Sequence, residues 1–189
     1  MIKSKLKGFA AVTVACLAVT ACGSDSNNED GTDQNATYVQ FYNASAGSTA
    51  TALKVADKTY ESVIYGDTMP RFTSTAGVSA IEVMAKDASD KDISIYKEDI
   101  DLKVATDHFF VLHGDFAEPK LLNINYSRTE LDKLNEVAEN SKMQLLIANT
   151  AVHAQAFDAY VSKSTQTFAD AVMLGSVAYG EASQPQVMD

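Results

Sequence analysis

The sequence predicts an all-β chain: an antiparallel β-sandwich, followed by the start of a second one. Three observations carry this. Short segments alternate apolar and polar residues: "AIEVMA" sets Ile81, Val83 and Ala85 on one face, and "IDLKV" does the same with Ile100, Leu102 and Val104. A side-chain period of two belongs to strands, and "HFFVLH" at 108–113 has the unbroken apolar centre of a buried one. Turn clusters such as "DASDKD" and "STAG" punctuate these segments, as in a sandwich and unlike βαβ units. Finally, "SVIYGD" at 62–67 returns as "SVAYGE" at 176–181.

That echo is part of a longer repeat. Shifted by 106 positions, "YVQFYNASAG" from Tyr38 falls on "QLLIANTAVH" from Gln144, so that Phe41 matches Ile147 and Asn43 matches Asn149. The match runs without a gap to Val55 on Val161; a hairpin then grows by eight residues, and Tyr65-Gly66 meets Tyr179-Gly180 at an offset of 114. If the six aliphatic positions above are buried, the larger ones contribute about 1.5–3 kcal/mol each. Such a core stands without a disulfide.

The N-terminus has a different task. "MIKSKLK" carries three lysines and no acid, and "GFAAVTVACLAVTA" is small, apolar and uncharged. This is the layout of a signal peptide over 1–21, too short for the roughly 20 apolar residues of a membrane span. Its end, Val19-Thr20-Ala21-Cys22, resembles a bacterial lipoprotein lipobox. The resemblance implies cleavage before Cys22 and a diacylglyceryl group on its thiol. The rival "TVAC" ending at Cys16 leaves a shorter apolar run. Gly23 and Ser24 stand where an aspartate would resemble an inner-membrane retention signal, so an outer-membrane location is expected.

Residues 22–36, "CGSDSNNEDGTDQNA", offer nothing apolar to bury and read as a flexible tether. Removing Lys3, Lys5 and Lys7 leaves 12 basic residues against 25 acidic ones, a net charge of −13. That balance argues against nucleic acid and against an electrostatic grip on anionic lipid.

"YVQFYNASAG", "LKVADK", "VIYGD", "TSTAGVSAIEV" and "FFVLHGD", in that order, resemble the bacterial envelope family called domain of unknown function 4397. The resemblance implies an immunoglobulin-like β-sandwich, often in tandem and often lipid-anchored, with no established catalytic activity. A complete first domain is expected over 37–125 and the N-terminal part of a second over 143–189. The second copy reaches only the position of the Ala76-Gly77 turn of the first. Half a sandwich exposes an apolar face and open strand edges, so a chain continuing for about 50 further residues, or a partner strand, is expected to complete it. Between the copies, 126–142 reads as a linker. Ser127 and Glu130 have capping-box spacing, and Leu131, Leu134 and Ala138 share a face, which predicts a short helix over 129–139; a plain polar linker is the alternative.

Catalytic chemistry finds little footing. His108 and His113 lie five apart on one strand, on opposite faces, and His153 is in a loop. Cys16 leaves with the signal peptide and Cys22 is acylated, so no thiol remains. No nucleophile elbow or phosphate loop is present, and there is no tryptophan to wall a glycan cleft. No enzyme and no cofactor are therefore expected. The one metal candidate is Asp87, Asp90 and Asp92 in a hairpin loop, for calcium. Tyr65 and Tyr179 either stack on a ligand or cover the core beside Gly66 and Gly180; the structural role is preferred, and Asn43 and Asn149 read as turn formers bonded to their own backbone. The expected function is a lipid-anchored envelope module for binding, adhesion or scaffolding of a protein or glycan. The alternative is a periplasmic accessory protein for a small ligand or cation.

Overall fold

A computed structural model describes residues 36–129, 143–152 and 154–188. The predicted signal peptide, Cys22, nearly all of the predicted tether, His153 and the predicted helix apart from Thr129 lie outside the described residues. The fold is all-β, with four strands packed on four in the first unit. One sheet holds β1 (Ala36–Asn43), β4 (Phe72–Thr75), β7 (Thr106–His113) and β8 (Lys120–Ser127), in the order β4-β1-β7-β8. The other holds β2 (Thr51–Val55), β3 (Lys58–Thr59), β5 (Gly77–Lys86) and β6 (Asp92–Leu102), in the order β3-β2-β5-β6. One pair departs from the antiparallel expectation. β1 and β7 run parallel, from Tyr38 opposite Asp107 to Asn43 opposite Leu112.

Alternation decides which side chains enter the core. Val39 and Phe41 of β1 and Phe110 and Leu112 of β7 meet Leu53 and Val55 of β2 and Ile81 and Val83 of β5, with Met69 and Leu102 closing the cluster. Ile81, Val83 and Ala85 are buried, as their spacing predicts. Val104 is not. β6 ends at Leu102, and Val104 falls in the turn before β7, where it is 54% exposed. The first unit also outruns its predicted end, because Tyr126 and Ser127 pair with Asp107 and Thr106 in β8 and are not linker.

The second unit begins with β9 (Met143–Leu145), β10 (Phe157–Val161), β11 (Val172–Val177) and β12 (Gln186–Met188); a 3-10 turn spans Phe168–Asp170. β10 pairs with β11, and β12 with β9. These pairings sit at shifts of 106 and 114 positions from pairings of the first unit. Lys54 opposite Thr59 corresponds to Tyr160 opposite Met173, and the bridge Tyr42–Thr68 to the bridge Ala148–Ala182. Among the described residues its small core is Ile147, Ala159, Leu174 and Val177, with Leu145, Phe157 and Val161 packed against it.

A cavity at the centre of the first core should be costly. Phe110→Ala is expected to remove about 3–5 kcal/mol in urea unfolding, whereas the exposed Tyr65→Ala should stay within about 0.5 kcal/mol of the parent.

Candidate functional site

The outer face of the β4-β1-β7-β8 sheet is the most differentiated surface of the chain. All eight residues of β7 are buried, so both of its faces are covered. Residues 106, 108, 110 and 112 point into the sandwich; Asp107, Phe109, Val111 and His113 point outward. Their cross-strand neighbours on β8 are Tyr126, Ile124, Leu122 and Lys120. This face therefore grades from charged through apolar to a histidine-lysine end.

At the charged end, Arg71 donates to both carboxylate oxygens of Asp107, at 2.7 and 2.8 Å. The Nε of Arg128 lies 3.5 Å from the same carboxylate, and its Nη2 donates to the Ala36 carbonyl. Both guanidiniums stack on Tyr38, at 3.8 and 4.1 Å from the ring centroid. Burial, and then the Asp107 charge, push the Tyr126 hydroxyl up to about 12. No motif announces this cluster, because its members lie up to 90 residues apart in the chain (Tyr38 to Arg128).

The apolar centre, Phe109, Val111 and Ile124, is covered by Leu146, Ala148 and Ala182 of the second unit. At the far end Tyr179 meets His113 edge-on, with ring centroids 5.4 Å apart and planes at 80°, while Lys120 Nζ lies 5.6 Å from the tyrosine ring centroid. Gly180, at φ +78°, lies so close that a Cβ there would come within 3.1 Å of His113 Cε1. Burial, and then the Lys120 charge, hold the His113 pKa below its ordinary value, and its Nδ1 has no partner among the described residues. His108, on the inner face, is satisfied: Nδ1 bonds Asn123 Oδ1 at 3.1 Å and Nε2 accepts from the Lys103 amide at 3.2 Å. Beside the junction runs a groove of about 460 Å³, with Asn125 on one wall and Ser183 and Gln184 on the other.

Tyr65 and Tyr179 have unlike surroundings. Tyr179 is seated on the first unit, whereas Tyr65, expected to cover the core, is 49% exposed. Its turn is hydrogen-bonded to Asn43, and among the described residues Gly66 has nothing within 4 Å of a Cβ position. Asn43 and Asn149 are fully buried and bonded alike. Their Oδ1 atoms accept from Ser45 and Ala151 amides, their Nδ2 atoms donate to the Val63 and Val177 carbonyls, and their carbonyls accept from Gly66 and Gly180.

The three candidate calcium ligands are not brought together. Asp87 Oδ1 accepts from the Ser89 and Lys91 amides, Asp92 pairs with Lys86 at 2.9 Å, and Asp90 offers its carbonyl to Lys86. Among the described residues no group of three or more His, Cys, Asp or Glu side chains is placed to hold a metal, and no helix is long and apolar enough to cross a membrane. No family model, curated protein or solved structure matches the chain.

Gly180→Ala and Gly66→Ala impose the same left-handed strain, but only the first also drives a methyl into His113. Gly180→Ala should therefore lower the melting temperature by more than Gly66→Ala does. The junction also carries a pH dependence. Because the folded pKa of His113 is depressed below 6.5, its contribution is complete above that pH and lost as pH falls through the folded value. Tm should drop on mild acidification, and less steeply in His113→Gln.

Proposed function

We propose that the chain is a lipid-anchored protein of the bacterial cell envelope, held at the outer membrane through Cys22, whose stacked immunoglobulin-like units bind or space other envelope components without catalysis. The observation that carries this reading is the junction. The second unit begins by covering the outer face of the first with Leu146, Ala148, Ala182 and Tyr179, an arrangement suited to stacked modules. The tandem character is supported by the hydrogen bonds that recur around Asn43 and Asn149 at the offsets of the sequence repeat. Two four-stranded sheets closed by a parallel β1–β7 pair suit the immunoglobulin-like architecture that the family resemblance implies.

A second reading, a periplasmic accessory protein for a small polar ligand, is favoured by the groove with Asn125, Ser183 and Gln184 at its walls. Amides and hydroxyls there supply donors and acceptors beside a single acidic side chain, Glu181.

The anchor is tested by the mass of the N-terminal peptide of the protein purified from its own membranes. A peptide starting at Cys22 and heavier by the acyl chains is expected, and a Cys22→Ser variant should keep its signal peptide. An unmodified cysteine would overturn the anchor. Thermal stabilisation of the chain by a small polar solute, lost in Gln184→Ala, would favour the second reading over the first.

A further inference from the structure

Corresponding positions in the two units show how exterior residues differ where a face is covered. The second unit has Leu146, Ala148 and Ala182 where the first has Gln40, Tyr42 and Thr68, and those three pack on the first unit. A second exchange of this kind lies on the outer face of the β10–β11 ribbon. Where the first unit carries Lys54 and Thr59, the second carries Tyr160 and Met173, paired opposite each other. Lys54 is bonded to Glu82 of β5 at 3.0 Å. Tyr160 and Met173 are 43% and 48% exposed. The longer hairpin adds Phe168, 75% exposed, whose ring meets Tyr160 at 5.0 Å and 61°. Among the described residues nothing covers this aromatic and thioether patch.

We propose that the patch of Tyr160, Phe168 and Met173 rests on the surface of the lipid bilayer that holds the anchor, laying the second unit against the membrane. This rests on the anchor reading above. The tether from Cys22 to Ala36 spans at most about 50 Å when fully extended, which keeps the described units close to the bilayer. Confinement of that kind raises the local concentration of a surface too weak to bind from solution. The local charge fits a neutral headgroup layer. From Phe157 to Val177 the charged residues are Asp158, Lys163 and Asp170, a net −1 in a chain of −10. Tyrosine and phenylalanine suit the interfacial zone, and the Lys163 stem can carry its ammonium to the headgroups. Pairing the patch with a second copy would oppose two strongly acidic chains.

The chain has no tryptophan, so Phe168→Trp in the full-length protein places a single reporter at the patch. Reconstituted in phosphatidylethanolamine–phosphatidylcholine vesicles, it should show blue-shifted emission, quenching by brominated lipid and protection from aqueous iodide. Tyr160→Ser and Met173→Ser in the same background should reverse all three while the protein still floats with the vesicles. An indole quenched by iodide and untouched by brominated lipid, on a chain of confirmed acyl mass, overturns the proposal and leaves the anchor standing. A blue shift without lipid quenching assigns the patch to a protein contact instead, and also overturns it. A chain without acyl mass overturns the anchor, and with it the confinement that the patch requires.

Discussion

Strand β1 is hydrogen-bonded along both edges, antiparallel to β4 on one side and parallel to β7 on the other, and the first unit is organised around that requirement. Parallel neighbours cannot be joined by a tight hairpin. The chain leaves the first sheet for β2 and β3, returns for β4, leaves again for β5 and β6, and comes back as β7 to fill the second edge of β1. The crossing places Val39 and Phe41 opposite Ile81 and Val83 and makes one core of two sheets. In the second unit β9 has β12 on one edge and β10 has β11, the counterparts of β4 and β3. Its apolar interior, among the described residues, is correspondingly small.

The outer face of the β4-β1-β7-β8 sheet shows how a single surface can serve three purposes. At one end two arginines are brought together over Tyr38 only because Asp107 neutralises part of their charge. In the middle, apolar side chains are removed from water by a neighbouring unit, at about 25 cal/mol per Å². At the other end, the close approach of Gly180 to His113 leaves no room for a side chain. Desolvation and the nearby Lys120 charge disfavour protonation of that histidine.

The two units share their hydrogen bonds and differ in their exteriors. Asn43 and Asn149 fold the chain back in the same way because each amide satisfies backbone groups that would otherwise be buried and unpaired. What surrounds each turn then depends on what packs against it. Tyr65 points into solvent beside its glycine, while Tyr179 lies on a histidine and a lysine supplied by the other unit.

The sequence by itself determined the β class, the inward positions of β5, and the two places where an asparagine and a Tyr-Gly pair recur, because alternation and turn chemistry are local properties. It also carried the charge balance and the N-terminal motif at Cys22. It could not place Val104, since the end of β6 is set by pairing with Gly77 on another strand. It predicted one core-covering role for both tyrosines, since identical local sequence hides different neighbours. The Arg71–Asp107–Arg128 cluster, the parallel β1–β7 pair and which residues, Leu146, Ala148 and Ala182, cover the outer face of β7 were decided by tertiary structure alone. Each joins residues far apart in the chain, and no local pattern records which distant segment will arrive.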